Sequence, residues 1–182
     1  MAFTASDVKA LREKTGVGMM DCKKALVESD GDMDKAIDFL REKGLAAATK
    51  KASRIAAEGV VMAYTDEAKQ TSVIIEVNSE TDFVAKNNKF QNFVLSVAKT
   101  VINEDPKDVD DLLTKKLDGS DRTVQENLQD MVLAIGENMK IRRFERVTGI
   151  AATYIHAGGA VGVLVSLSLI HISEPTRLAL IS

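Results

Sequence analysis

Few residues of this 182-residue chain are of types that do chemistry, and their spacing excludes most reactions. Cys22 and His156 are the types of a thiol nucleophile and its base, but nothing in the sequence places them together, and a lone cysteine is commonly just packed. Cys22, His156 and His171 match no zinc-ligand spacing. The GVG at Gly16 to Gly18 lacks a preceding strand and a Gly-Lys-Ser/Thr ending, so it is no phosphate loop. Asp108, Asp110 and Asp111 read as a solvated helix start. Glu80 and Asp82 are candidate carboxylate bases, yet no partner group accompanies them. No catalytic residue, metal ligand or cofactor is expected.

Contact chemistry remains. Met19 and Met20, beside a glycine turn, are either core filler or an adaptable docking surface. Gly136, read as lying inside a helix, costs about 1 kcal/mol relative to alanine, and a close approach should offset it. His156 precedes two glycines in a turn and is expected to be exposed. The sharpest case is SETDFVAKNNKF, Ser79 to Phe90. Phe83, Phe90 and Val97 are spaced by seven, so one unbroken helix puts Phe83 on its buried stripe, with Ser79 and Asp82 as a capping box. The pair Asn87-Asn88 instead favours a break. A helix beginning near Lys89 would leave Thr81 to Lys86 as an isolated turn, with Phe83 overhanging a sheet edge. Spacing leaves both open.

The elements that would position these residues follow from local signals. Thr4 and Asp7 form a capping box, Val8 and Leu11 share a face, and Gly16 closes the first helix. Met20 to Glu28 form a second helix. Asp32 caps a third, in which Met33, Ala36, Ile37 and Leu40 make one stripe and Gly44 is the expected stop. Ala46 to Ala57 read as linker or frayed helix. Val60 to Tyr64 and Ser72 to Asn78 are strands joined by the hairpin TDEAKQ. Next comes a helix with Phe90, Phe93, Val94, Val97 and Val101 inward, then a short acidic helix opened by Pro106. Thr123 and Glu126 cap a helix carrying Leu128, Met131, Val132, Ile135 and Met139. Ile141 to Ile155 and Ala160 to Val165 supply further strand, turning at His156 to Gly159. This order predicts an α+β fold, helices covering one face of an antiparallel sheet. The expected parts are a three-helix module (1–52), an α+β core (56–166) and a tail (167–182).

Hydrophobic residues make up 45% and charged residues 28%, as in a globular protein. A net charge of −3 gives no field to hold a polyanion, so direct nucleic-acid binding is not expected. One cysteine suits a reducing, cytoplasmic setting, and the charged start is unlike a signal peptide. Val147 to Ser173 holds no Asp, Glu, Lys or Arg and is long enough to cross a bilayer, but its polar and glycine positions divide it into strand lengths. No membrane partner is expected. The tail LSLIHISEPTRLALIS has no period, cap or core face, and reads as the translation of a sequencing adapter that cuts the natural sequence short.

LREKTGVGMMDCKKAL (Leu11 to Leu26), EVNSETDFVAKN (Glu76 to Asn87), IGENMKIRR (Ile135 to Arg143) and YIHAGGAVGVLV (Tyr154 to Val165) resemble, in order, motifs of the elongation factor Ts family. The resemblance implies an exchange factor, not an enzyme, acting on the GDP-bound or nucleotide-free GTPase elongation factor Tu. It implies that the first module is similar to ubiquitin-associated domains and docks through Arg12, Met19, Met20 and Lys23. It further implies that Thr81, Asp82, Phe83 and Val84 project into the partner, the phenylalanine as wedge and the aspartate disturbing the magnesium site. Ile135, Gly136 and His156 match further contact positions. Ala160 stands where the family commonly has a basic residue, and the chain is expected to end after the first of two core halves. Two rivals stay open. One is a helical module recognising a ubiquitin-like or ribosomal partner without exchange activity; the other is a small-molecule enzyme using Asp82 or Glu80.

Overall fold

The computed structural model describes residues 3–167 and the backbone of Leu180–Ile181. His171 and most of the adapter-like tail, with the end of the uncharged run to Ser173, lie outside the described residues. The fold is α+β, and the chain divides into two compact units, residues 1–54 with 125–138, and residues 55–124 with 139–182.

The first unit is helical. Helix α1 (Ala5–Thr15) starts at the Thr4–Asp7 capping box and ends at Gly16, whose φ of 70° lets its N–H reach Arg12 O. Helix α2 (Met19–Glu28) begins directly after the GVG turn. Asp32 caps α3 (Met33–Lys51) by accepting from the amides of Asp34 and Lys35. Val8, Leu11, Val17, Cys22, Ala25, Leu26, Ala36 and Leu40 form the core, with Met33, Ile37 and Leu133 packed at its margin. Each fully buried leucine here contributes about 1.5–3 kcal/mol.

Gly44 does not stop α3, which runs seven residues further to Lys51. The reason is packing. Helix α7 (Val124–Ile135) belongs to this unit, and a Cβ on Gly44 would lie 3.6 Å from Gln129 O and 3.7 Å from a Leu133 methyl. Gly44 is thus buried against a neighbouring helix, at a distance where a Cβ would make ordinary van der Waals contact. Gly136 also differs from expectation: it lies beyond α7, with φ of 90° and its N–H on Val132 O. It is a left-handed terminator, and Met139 consequently opens a strand rather than extending the α7 stripe.

The second unit is built on the antiparallel sheet β1-β2-β3, comprising β1 (Glu58–Asp66), β2 (Thr71–Ser79) and β3 (Met139–Thr148). Tyr64 pairs with Val73 and lies under the Lys99 ammonium of α5 (Asn88–Glu104), so Val73, Ile75 and Val77 share the face turned to that helix. Phe90, Phe93, Val94, Val97 and Val101 are buried against it. The short helix α6 (Val109–Thr114) is capped by Asp108, two residues after Pro106.

The other face of the sheet is not open. Ile141 to Ile155 is interrupted at Gly149, φ 99°, and β4 (Ile150–His156) leaves to pair with β5 (Val161–Leu167) in a second sheet, to which β6 (Leu180–Ile181) adds two residues. A Cβ on Gly162 would sit 2.5 Å from Val61 and 2.9 Å from Ile74. Only glycine allows that approach. Strand β2 is therefore covered on both sides, with Thr71 to Ile75 buried without interruption. Among the described residues, no helix is long and apolar enough to cross a membrane.

Candidate functional site

Where β2 ends, the chain makes one turn of helix before the main helix begins. This is α4 (Asp82–Ala85), preceded by Thr81 in an extended conformation. Asn87 then interrupts the helix at φ −74°, ψ 126°, and its side chain accepts from the Lys89 amide at 2.8 Å. The break sets the fate of Phe83. With two separate helices the spacing of seven no longer carries a stripe across them, and Phe83 is 80% exposed while Phe90 is fully buried. Ser79 does not cap Asp82 either: its buried hydroxyl donates to Thr81 O at 2.9 Å and tightens the turn.

Inside the turn the roles alternate. Val84, 5% exposed, is the apolar anchor, whereas Asp82 and Phe83 face solvent. Lys86 Nζ lies 2.7 Å from Asp82 Oδ2. That hydrogen bond, and then the ammonium charge, hold the Asp82 carboxyl below the usual aspartate range and raise the Lys86 pKa. The result is a largely exposed aromatic ring beside a carboxylate that is ionised at any physiological pH. The i,i+4 spacing of Asp82 and Lys86 was available in the sequence and would have found this partner.

His156 ends β4 in the same unit. It is exposed, and its Nδ1 lies 3.2 Å from the Tyr154 hydroxyl, with the two rings stacked at 6.1 Å. Tyr154, two residues earlier on the same strand face, was not singled out by sequence. Together with Ile150 it extends an exposed apolar surface along β4.

The remaining candidates fall in the first unit. Arg12, Met19, Met20 and Lys23 are all exposed at the α1–α2 turn and along α2. Met20, Lys23, Lys24 and Val27 follow one another at helical spacing on the solvent side, with Met20 66% and Val27 54% exposed. Met19 and Met20 thus stand outside the core. Cys22, next to them, points inward; its Sγ lies 3.6 Å from Val17 O, and burial pushes its thiol pKa up, the opposite of a nucleophile. Ile135 and Gly136 lie at the C-terminal end of α7, the isoleucine half-buried and the glycine exposed. Arg12, Met19, Met20, Lys23, Ile135 and Gly136 are thereby grouped in one unit, and Thr81 to Val84 and His156 in the other. No cluster of His, Cys, Asp and Glu able to hold a metal occurs among the described residues.

The family model described as elongation factor TS matches residues 80–177. The chain is 55% identical over 169 residues to elongation factor Ts of Clostridium perfringens (strain SM101 / Type A), covering 91% of this chain and 55% of that protein. It is 55% identical over 168 residues to elongation factor Ts of Clostridium novyi (strain NT), covering 90% and 55%. With the elongation factor Ts of Trichlorobacter lovleyi it shares 52% identity over 169 residues, 91% of this chain and 54% of the relative. The chain spans about half the length of these curated relatives.

Proposed function

The chain belongs to the elongation factor Ts family, and on that premise we propose that it is a translation elongation factor that binds elongation factor Tu and promotes release of GDP. The observation that carries the reading is Phe83: a large apolar ring, 80% exposed, held on a one-turn helix by the buried Val84. A lone exposed apolar residue is ordinary on a protein surface, so what supports the reading is the match of this ring, with its neighbouring carboxylate, to the family's projecting motif. Inserted between two helices of the GTPase, the ring would contribute roughly 1.5–3 kcal/mol.

An exchange factor must prefer the nucleotide-free partner, and linkage makes that preference reciprocal with GDP affinity. Accelerating release by three to four powers of ten needs about 4–5.5 kcal/mol. One phenylalanine therefore supplies part of it. The ionised Asp82 beside it adds a charge near the partner's magnesium, an ion that tolerates little departure from octahedral coordination. Thr81 and Val84 fix the turn that presents both. Docking by Arg12, Met19, Met20 and Lys23 of the first unit, with Ile135 and Gly136, supplies affinity, and His156 offers a polar contact from the second. The chain acts in the cytoplasm, contributes no covalent chemistry and contacts no nucleic acid directly.

Release of fluorescent GDP from elongation factor Tu tests the reading directly. Acceleration on adding the chain is expected. No acceleration together with no binding in a pull-down of the same partner overturns it for this chain.

A further inference from the structure

The last turn of α7 contains no basic residue to meet its terminal carbonyls, yet one is supplied from elsewhere. Lys51 Nζ, at the far end of α3, donates to Gly136 O at 2.5 Å across 85 positions of sequence. The link is returned two residues later. Asn138 Nδ2 donates to Arg54 O at 2.8 Å, and Asn138 is only 9% exposed. Residues 51–54 and 136–138 thus hold each other by two crossed side-chain-to-backbone bonds.

We infer that Lys51 and Asn138 are positioning residues for the Ile135–Gly136 segment, an inference that rests on the docking role proposed for that segment. Gly136 has no side chain to restrict it and sits at φ 90°, so its conformation must be imposed from outside. A cation at a helix C-terminus is favourable both as charge and as donor. Releasing the Asn138 amide would leave a buried polar group without that acceptor. With the clamp closed, Ile135 is presented in one geometry and association costs less ordering entropy. The long stretch of α3 beyond Gly44 acquires a purpose, since a helix ending at Gly44 would leave Lys51 off its end.

The test compares Lys51→Met and Lys51→Arg in the whole chain. Amide exchange at Gly136, whose N–H bonds Val132 O at 3.0 Å, is expected to quicken roughly tenfold in Lys51→Met and to recover in Lys51→Arg. Affinity for GDP-bound elongation factor Tu is expected to fall about fivefold in the parent background, but less than about twofold when Ile135 is already alanine. Thermal unfolding of each variant checks that the fold persists. Equal losses in both backgrounds reduce Lys51 to a helix cap and overturn the inference, as does unchanged exchange at Gly136. If the parent chain does not bind the GTPase at all, the docking reading falls and takes this inference with it. The exchange measurement needs no partner, so the two failures are told apart.

Discussion

Phe83→Ala separates the cost of folding from the cost of function. Phe83 and Phe90 are seven residues apart and look equivalent in the sequence, but one is 80% exposed and the other 0%. Truncating a buried phenylalanine costs about 3–5 kcal/mol, from the forfeited transfer energy and the cavity left behind. Phe90→Ala should fall in that range. The Phe83 ring is mostly in water in the free protein, so its truncation should change unfolding free energy by no more than about 0.5 kcal/mol. In the exchange reaction the ranking reverses in kind. If the ring is buried in the partner, its removal takes away roughly 1.5–3 kcal/mol, a 10- to 150-fold slower GDP release at saturating chain. Urea unfolding of the three proteins and stopped-flow release of fluorescent GDP measure the two quantities separately. A Phe83→Ala chain destabilised by more than about 2 kcal/mol would refute the split-helix geometry. A stable variant that releases GDP at the parental rate would refute the wedge.

Met20→Ala should leave the fold intact and act on docking: binding weakened by about 1 kcal/mol, hence a roughly fivefold rise in half-saturating concentration with the maximal release rate kept. An equal fall in the maximal rate would contradict the division between units. Gly44→Ala is expected to stabilise the first unit by about 0.5–1 kcal/mol, because a Cβ there meets only ordinary van der Waals neighbours at 3.6 Å and beyond; a lowered unfolding midpoint would show that α7 tolerates no approach. Glu76 accepts from Arg143 Nε at 2.7 Å and Arg142 at 3.2 Å. Burial alone would raise its pKa, but these bonds, that of Asn78 and the arginine charges outweigh it and hold the carboxyl below the usual glutamate range. A folded-state pKa below the unfolded one stabilises fully above about pH 4.3, and that stability disappears as pH falls through the lower value. Unfolding free energy followed from pH 6 down to about pH 2.5 should therefore drop less steeply in Glu76→Gln, the difference being on the order of 1 kcal/mol. Parallel curves for the two proteins would remove Glu76 from the acid response.

What could be read in advance was local. The Thr4–Asp7 box, the Asp32 cap and the stripe from Phe90 to Val101 depend on residues within a turn or two of each other, and all are present. Gly44 and Gly136 were misread because their roles depend on what surrounds them. One glycine lies inside a helix, buried against a neighbour; the other ends a helix through a left-handed dihedral that sequence spacing cannot distinguish from a helical glycine. Ile141 to Ile155 looked like continuous strand material because both sheets draw on the same β-prone residues, and only Gly149 marks the change of partner. Phe83 was balanced between two readings, and the Asn87 cap decided it. At the candidate site, Phe83 and Asp82 were found by motif, whereas Lys86, Tyr154 and the Lys51–Gly136 bond were not, the last because 85 intervening residues hide it.

The double covering of β2 also sets a timetable for the ribosome that makes this chain. Strand β2 emerges early, but its second cover, β4 and β5, which meets the face carrying Ile74, is not complete until Leu167, almost 90 residues after Ser79. At roughly 5–20 residues per second that is about 4–18 s of synthesis with one flank of an apolar strand bare. The nascent chain must spend that interval either shielded by a chaperone or exposed to pairing with its neighbours on the same message.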